Sequence, residues 1–380
     1  MKTRDKILLI VFFLLSAIAA AFLLSKKDSS DTIKIGVVMP QTGFLSSPGQ
    51  SVIRGIDLFV KDFNVRQKEV RLKMIYEDSQ SDPKVGVSAI NKLINADRTK
   101  VIIGDIGSPI FLAMAPIAEQ SKVVLISPGA SNPKVREAGD YVFRIYTSDE
   151  FDGKVMAQYL SQNNVKEVSL LYFNNDYGVG LSEAFKVEFA KLDGKVSLDY
   201  SFDENNLSFK DLIIKLKNSG TKDVYFIGSP KQDAAFLRQI KEVDCQVNVY
   251  GVLSFEDSEF LSIAKGTFSS VEYTTPYFDL DSEEEQVQDF KESFQREYGM
   301  LPDLNSALGY DVISIIAFAL KRCDFDVSRL KDELYQIKGF PGLTGNTSFD
   351  NKGDVIKDVM IKRVDGSGRQ EVIGVFQMDK

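Results

Sequence analysis

The 380-residue sequence has no histidine and no tryptophan, and it has only two cysteines. The lack of histidine excludes a Ser-His-Asp triad, a Cys-His pair and every zinc site that needs histidine. Cys245 and Cys323 stand far apart and neither lies in a CxxC motif, so no metal cluster or redox centre is indicated, while a disulfide and two buried thiols both remain open. The sequence also lacks a GxSxG elbow and a GxxxxGKS/T phosphate loop. These absences argue against an enzyme and give no reason to expect a cofactor or a metal ion.

The overall balance of residue types is that of an ordinary folded protein, with 44% hydrophobic and 26% charged residues. The formal net charge is −8. Nucleic acid is therefore not an expected partner, because the chain has no basic excess with which to neutralise phosphates.

The first 31 residues have the features of a targeting segment. Lys2, Arg4 and Lys6 precede an apolar run from residue 7 to residue 24 that only Ser16 interrupts. This run of 18 residues exceeds the roughly 7–15 apolar residues of a usual signal peptide and falls within the roughly 17–25 residues of a membrane span. Residues 1–31 are therefore either a cleaved signal peptide or an N-terminal membrane anchor through residues 7–24, with a short linker. In both cases we expect the remaining chain to be exported.

Two consecutive predicted strands end in loops that contain serine. The apolar run 101–103 is followed by Gly107-Ser108-Pro109, and a serine before a proline is typical of a helix start that the serine caps. The next apolar run, 123–126, ends in a loop that contains Ser131. Because ligands bind beyond the carboxyl ends of neighbouring parallel strands, we expect Ser108 and Ser131 to converge on one small polar molecule. The alternative is that both serines only cap helices and form turns.

Strand and helix signals alternate along most of the chain. The predicted strands are 33–39, 71–76, 101–103, 123–126, 168–173, 195–202, 223–227, 247–252, 359–364 and 371–376. Amphipathic helices lie between them, the pattern restarts near Thr147, and after residue 276 the rhythm changes to helices before the last two strands. This pattern predicts an α/β fold with two doubly wound, Rossmann-like lobes.

Six segments occur in the order of a known family: IKIGVVMPQTG, YEDSQSDPKVGVSAINKLI, VIIGDIGSPIFLAMAPIAEQSKVVLISPGASNP, LLYFNNDYGVGLSEAF, ALGYDVISIIAFAL and FPGLTGNTSFDNKGDV. Across essentially all of residues 32–380, the chain resembles the type I periplasmic solute-binding proteins of ABC importers, in particular the branched-chain amino acid (Leu/Ile/Val) binding group. The resemblance implies a hinge and a ligand cleft between two lobes, with residues 32–146 and 277–355 in lobe 1 and residues 147–276 and 356–380 in lobe 2. It also implies a location in the periplasm or on the extracytoplasmic face of the inner membrane.

The resemblance further implies which residues bind the ligand. In the amino-acid binders of the family, two hydroxyl positions hold the ligand carboxylate, and these match Ser108 and Ser131. A carbonyl of the second loop, which here contains Gly129 and Ala130, accepts the ligand ammonium, and Tyr177 covers the ligand from the opposite lobe. The other candidates for the cleft are Ser229, Ser254 and Tyr310, and packing of Tyr310 in the core is an equal alternative.

The sequence departs from the family pattern at the acidic residue that pairs with the ligand ammonium. Leu253 stands at that position, Ser254 follows, and Glu256-Asp257 comes slightly later. Ser229 replaces a tyrosine of the pattern. An α-amino acid ligand would therefore lose a charge-assisted hydrogen bond worth about 1.5–3 kcal/mol. An amino acid, another carboxylate and an amide all remain open as ligands.

These residues predict a protein that captures a small polar solute by closure of the cleft. As implied by the resemblance, it would be the substrate-binding component of an ABC importer and its partner would be the membrane permease. The alternative is a membrane-anchored domain that senses the ligand and reports its occupancy to a signalling partner. The long apolar run without a lipid-acceptor cysteine favours that alternative.

Overall fold

The apolar runs in the first part of the chain form a parallel β-sheet. The computed structural model describes residues 31–376. The strands of this first sheet are Asp31–Met39 (β1), Val70–Asp78 (β2), Val101–Gly104 (β3), Val124–Ser127 (β4) and Val142–Arg144 (β5). They pair in the order β2-β1-β3-β4-β5, all in parallel. Because β3 and β4 are neighbours, the loops that follow them leave the sheet side by side.

Helices pack on both faces of this sheet. The connections between its strands contain the helices Ser46–Arg66 (α1), Pro83–Asn95 (α2) and Ser108–Ser121 (α3), and the 3₁₀ turn Pro133–Glu137. Alternate residues of one strand point to opposite faces. In β1, Val37 therefore lies in the core shared with α1, whereas Val38 lies in the core shared with α2 and α3.

The middle of the chain forms a second parallel sheet with its own helices. Its helices are Asp149–Gln162 (α4), Asp176–Lys191 (α5), Lys210–Ser219 (α6), Pro230–Val243 (α7) and Ser258–Ala264 (α8), and a 3₁₀ turn spans Leu253–Glu256. Its strands are Glu167–Phe173 (β6), Lys195–Phe202 (β7), Asp223–Ile227 (β8), Asn248–Gly251 (β9) and Ser270–Pro276 (β10). These strands pair in parallel.

The last third of the chain returns to the first sheet and then to the second. Helices Glu285–Tyr298 (α9), Leu304–Arg322 (α10) and Leu330–Tyr335 (α11), with the 3₁₀ turn Val327–Arg329, pack into the core of the first sheet. A small antiparallel sheet follows, made of Phe340–Gly342 (β11), Gly345–Phe349 (β12) and Val355–Ile356 (β13). Val359–Asp365 (β14) and Gln370–Phe376 (β15) then join the second sheet antiparallel, and its full order is β15-β14-β10-β9-β8-β6-β7.

The chain thus crosses between the two sheets three times. The crossings follow β5, β10 and β13. A parallel sheet and a mainly parallel sheet, both flanked by alternating helices, confirm the predicted α/β fold class. We propose that the predicted lobe boundaries, near residues 146, 276 and 356, are the points about which the lobes rotate, because each lies in one of the three crossings.

Two further sequence features concern burial and the membrane. Both cysteines are buried free thiols. Helix α10 is long and apolar enough to cross a membrane. However, 78% of its apolar stretch is buried in the protein, as expected of a core helix. The predicted signal peptide or anchor run, residues 7–24, lies outside the described residues.

Candidate functional site

A cavity of about 160 Å³ lies between the carboxyl ends of the two sheets. Elements of the first sheet contribute Phe44, Leu45, Pro48, Ile106, Ser108, Gly129 and Ser131 to its wall. Elements of the second sheet contribute Phe173, Asn175, Tyr177, Glu204, Ser229, Leu253, Ser254 and Asp257. The cavity therefore lies where a doubly wound sheet is expected to bind ligands.

The two serine loops meet directly. The hydroxyl of Ser108 accepts hydrogen bonds from the backbone N–H groups of Ser131 at 3.2 Å and Asn132 at 3.1 Å. The hydroxyl of Ser127 also donates to the carbonyl of Asp105 at 2.7 Å. The hydroxyls of two serines, Ser108 and Ser127, therefore join the segments that follow β3 and β4. Ser108 begins α3, and Gly107 occupies the cap position without a side-chain hydrogen bond. The prediction that Ser108 caps its own helix is therefore wrong, because its oxygen is used by the neighbouring loop.

This arrangement leaves Ser108 with one remaining function. A serine hydroxyl has two acceptor sites and one proton. Since both acceptor sites are used by backbone N–H groups, only the proton of Ser108 is available to a ligand, and it needs an acceptor. The adjacent N-terminus of α3 carries a partial positive charge. This end of the cavity therefore suits a carboxylate or another acceptor anion.

The second serine loop has most of its backbone groups paired. The N–H groups of Gly129 and Ala130 donate to the hydroxyl of Ser127 at 3.1 and 2.7 Å. The carbonyl of Ser131 accepts from the N–H of Asp149 at 2.8 Å. Within the described part of the chain, the loop groups left to face a ligand are the carbonyl of Gly129 and the hydroxyl of Ser131. The Ser131 hydroxyl also lies beside the buried carboxyl group of Asp149 and opposes the rise that burial causes in the pKa of Asp149. Ala130 contributes no lining atoms, because its side chain is buried in the core behind the loop.

The opposite wall contains three of the predicted residues, each in a different state. Tyr177, in the first turn of α5, lines the cavity and packs on both cores of the second sheet. The hydroxyl of Ser229 donates to Gln232 Oε1 at 3.2 Å, so its proton is already used. The hydroxyl of Ser254 is buried and has no hydrogen-bond partner among the described residues.

Asp257 is a cavity residue that the family pattern placed elsewhere. Its side chain is 3% exposed and lines the cavity. Oδ1 accepts from the hydroxyl of Ser47, on the first lobe, at 2.7 Å, whereas Oδ2 is buried without a partner in residues 31–376. Burial raises the pKa of Asp257 to about 6, and the bond from Ser47 opposes that shift. The sequence signal was the pair Glu256-Asp257, which the 3₁₀ turn after β9 brings back to the cleft.

A second buried carboxyl group stands behind Asp257. Asp233 in α7 is fully buried, and neither of its side-chain oxygens has a hydrogen-bond partner within the described chain. Burial raises the pKa of Asp233 well above its usual range, and the nearby Ser254 hydroxyl opposes the shift while Asp257 adds to it. Glu204 also lines the cavity, and no lysine or arginine of the described chain does. This wall therefore favours a positively charged group.

The lobes touch each other around the cavity. The side chain of Asn132 donates to the carbonyl of Asp176, and Lys134 Nζ lies 3.2 Å from Asp176 Oδ1. The rings of Phe44 and Phe173 meet edge to face at 6.3 Å. Together with the bond between Ser47 and Asp257, these contacts hold the cleft closed.

Tyr310 does not lie in the cleft. Its ring packs edge to face against Phe59 at 5.2 Å and Phe290 at 5.1 Å, in the core of the first lobe. The prediction of Tyr310 as a cleft residue is therefore wrong. The helix α10 that carries it packs along α1, which turns this ring away from the cavity.

We expect Tyr310→Phe to leave ligand affinity within about twofold of the unchanged protein, because it keeps the packed ring and changes no cavity atom. Calorimetric titration of the variant checks this. A loss of affinity of tenfold or more would return Tyr310 to the binding site.

The buried carboxyl groups also predict how stability depends on pH. Burial raises the pKa values of Asp105 and Asp152 to about 7, and that of Asp257 to about 6. Because these folded-state values exceed the unfolded value of 3.8, their contribution to stability is full at low pH and is lost as the pH rises through about 6 to 7. No histidine titrates in this window.

We therefore expect the ligand-free protein to melt several degrees higher at about pH 5 than at about pH 8. Asp105→Asn should flatten part of this dependence, because asparagine does not titrate. The asparagine oxygen can still accept from the N–H of Gly107, so the local hydrogen bond is kept. Thermal melts across the pH range measure both effects. A melting temperature that rises with pH over this range would contradict the prediction.

The described residues contain no group of three or more Cys, Asp or Glu residues placed to hold a metal ion. The site offers a hydroxyl proton and a helix start on one wall, one unpartnered carboxyl oxygen, that of Asp257, on the other, and aromatic and aliphatic side chains between them. It can bind a small amphipathic molecule by hydrogen bonds and apolar contact.

Comparisons with known proteins show which family the chain resembles. The sequence profile of the periplasmic binding protein family matches residues 32–369. A leucine-, isoleucine-, valine-, threonine- and alanine-binding protein of Pseudomonas aeruginosa is 27% identical over 351 residues, which cover 90% of this chain and 92% of the relative. The crystal structure of a leucine-binding protein of Thermotoga maritima has a TM-score of 0.85 and 26% identity, covering 91% of this chain and 99% of that chain.

A second solved structure shares the fold alone. It is an ABC transporter solute-binding protein of R. palustris in complex with benzoate, with a TM-score of 0.85 and 19% identity, covering 90% of this chain and 96% of that chain.

Proposed function

This chain belongs to the periplasmic binding protein family, and on that premise we propose that it is the extracytoplasmic substrate-binding component of an ABC importer. Its role is to bind a substrate and not to catalyse a reaction. The observation that carries the proposal is the direct contact of the two serine loops on the wall of a cavity between the lobes. Family membership supports a location outside the cytoplasm and a permease as partner.

We propose an α-amino acid with an apolar side chain as the solute. Its carboxylate would accept the protons of Ser108 and Ser131. Its ammonium would contact the carbonyl of Gly129 and the free oxygen of Asp257, which restores the acidic partner that Leu253 cannot supply. Its side chain would lie among the apolar wall residues, such as Phe44 and Phe173.

The charge of the cavity supports a ligand that is positive at one end. Glu204 and Asp257 line it, and no basic side chain of residues 31–376 balances them. A simple anion would bring a third negative charge into a site of low dielectric constant, whereas a zwitterion adds no net charge. The size of the cavity, about 160 Å³, also suits a small solute.

The mechanism of capture would be closure of the hinge. Ser108 and Ser131 hold the ligand on the first lobe, and Asp257 and Tyr177 reach it only when the second lobe closes. The ligand therefore stabilises the closed state by the contacts that the open state lacks. The permease would receive the closed, loaded form.

Calorimetric titration with L-leucine, 4-methylpentanoate, L-leucinamide and benzoate tests the proposed solute class. We expect L-leucine to bind tightest, and removal of either its amino group or its carboxylate charge to cost about 1.5–3 kcal/mol, which is about 10- to 150-fold in affinity. If 4-methylpentanoate or benzoate bound more tightly than L-leucine, the solute would be a carboxylate without an amino group. If no member of the panel bound, solute capture through these serines would be wrong.

The apolar run 7–24 without a lipid-acceptor cysteine favours a second candidate, a membrane-anchored domain that reports ligand occupancy to a signalling partner. Determination of the N-terminus of the protein purified from its native membrane fraction tests it. Retention of residues 7–24 would support the anchor. Cleavage before residue 32 would contradict the anchor and leave a protein released from the membrane.

A further inference from the structure

Arg144 is the last residue of β5 and is fully buried. All three nitrogens of its guanidinium group donate hydrogen bonds. Nε and Nη2 donate to the two carboxylate oxygens of Asp354 at 2.5 and 2.7 Å, which is a bidentate pair. Nη1 donates to the carbonyl of Asn132 at 3.0 Å and, at 3.5 Å, to the carbonyl of Ala130. One side chain therefore joins the second serine loop to the segment that precedes β13.

The planarity of the peptide bond gives these contacts a consequence for the ligand site. The carbonyl of Ala130 and the N–H of Ser131 belong to one peptide unit and point in opposite directions. Arg144 holds the carbonyl end, and the N–H end donates to Ser108. The next peptide unit is held in the same way, by the N–H of Asp149 at its carbonyl and by Ser108 at its N–H.

Two successive peptide units are thus fixed at both ends, and this fixes the direction of the Ser131 side chain between them. Because Asn132 follows directly and its carbonyl is also bound by Arg144, the loop cannot rotate at either end without breaking a buried bond. An unpaired buried carbonyl or guanidinium N–H is costly, which resists such rotation. Arg144 touches no part of the cavity itself.

The pair also lies at two of the three crossings between the lobes. Arg144 directly precedes the first crossing, and Asp354 precedes β13 and the third crossing. The backbone N–H of Arg144 additionally donates to the carbonyl of Gly353 at 3.3 Å. The second serine loop and the first-lobe ends of these two crossings are therefore joined by one buried ion pair.

We propose that Arg144 and Asp354 are positioning residues for ligand recognition, which orient the second serine loop so that Ser108 and Ser131 together select a carboxylate. This inference rests on the proposed function, since it assigns the geometry of the same site. Arginine is required because lysine keeps the charge but lacks the planar array of donors that binds Asp354 and two carbonyls at once.

The test compares Arg144→Lys with Arg363→Lys, a control for the loss of a bidentate arginine outside the site. Arg363 in β14 donates to Glu272 through Nε and Nη2 at 3.0 and 2.6 Å, on the second sheet and away from the serine loops. Affinities for L-leucine and L-leucinamide are measured for both variants. If 4-methylpentanoate or benzoate binds the unchanged protein more tightly than L-leucine, that acid and its amide are used as the pair.

We expect Arg144→Lys to weaken binding of the acid at least about tenfold and to reduce the ratio of acid to amide affinity by a similar factor. Arg363→Lys should change neither quantity by more than about twofold. The ratio is the decisive quantity, because a general loss of stability would weaken acid and amide equally. An unchanged ratio in Arg144→Lys would overturn the proposal.

If Arg144→Lys does not fold, Asp354→Asn decides the question by the same criterion, since it keeps the size of the side chain and removes one partner charge. An unchanged ratio in Asp354→Asn would likewise overturn the proposal. Failure of the unchanged protein to bind any member of the panel would instead overturn the proposed function, and this inference with it.

Discussion

Ser108→Ala is expected to weaken binding of L-leucine at least about hundredfold. The substitution removes the proton that a ligand carboxylate would accept, a charge-assisted bond worth about 1.5–3 kcal/mol. It also leaves the buried N–H groups of Ser131 and Asn132 without their acceptor, at a cost of about 1–3 kcal/mol each in the native loop. Part of this cost should appear as lower stability and part as a displaced second loop that binds less well. Calorimetric titration and thermal melts measure the two parts.

Two further variants separate the contributions of the serine loops. Ser131→Ala removes one hydroxyl and no backbone acceptor, so we expect a smaller loss of about tenfold. Ser88→Ala is the control, because its exposed hydroxyl only donates to the carbonyl of Lys84 within α2. Affinity within twofold of the unchanged protein in both Ser108→Ala and Ser131→Ala would refute the assignment of the anion site.

Asp257→Asn is expected to weaken binding of L-leucine about 10- to 100-fold and to leave 4-methylpentanoate unaffected or slightly tighter. The asparagine keeps the acceptor for Ser47 but removes the negative charge that would pair with the ligand ammonium. The control is Asp281→Asn, since that carboxylate is 96% exposed. Equal losses for the amino acid and for the acid without an amino group would show that Asp257 acts only on lobe closure.

The same residue predicts a dependence of binding on pH that is opposite to that of stability. Asp257 must be ionised to pair with an ammonium group, and its pKa in the ligand-free protein is about 6. Affinity for L-leucine should therefore fall as the pH decreases below about 6, while the ligand-free protein becomes more stable. Titration of Asp257→Asn over the same range should remove the effect. A pH-independent affinity in the unchanged protein would contradict this role.

The two-lobe α/β fold was predictable from the sequence because buried strands and amphipathic helices alternate with strong periodicity. The position of the serine loops was predictable for a related reason. Runs 101–103 and 123–126 are consecutive strands, and consecutive parallel strands usually pair. Ser108 and Ser131 thus had to end at one edge, and the structure brings their loops into direct contact.

The detailed bonding of the serines was not predictable in the same way. A serine before proline has the local signal of a helix cap, yet the oxygen of Ser108 is used by residues of the next loop. Local capping signals describe only nearby backbone. The N–H groups that donate to Ser108 lie more than twenty residues away in the sequence. They come close to it only when the sheet is assembled.

Sequence reasoning did not correctly place three residues, Asp257, Tyr310 and Arg144. Asp257 reaches the cavity through an irregular 3₁₀ turn, whereas the resemblance to the family aligned Leu253 at the acidic position. Tyr310 lies on a helix that is buried on most of its surface, so periodicity could not distinguish a cleft-facing ring from a core ring. Arg144 ends a short strand, and its partner Asp354 is more than two hundred residues later.

A crystal structure of the complex with the tightest-binding member of the solute panel tests the account most directly. We expect one carboxylate of the ligand to lie within hydrogen-bond distance of the hydroxyls of both Ser108 and Ser131, with Tyr177 closing over it from the second lobe. A ligand bound elsewhere, or one in this cavity whose carboxylate contacts neither serine, would contradict the account.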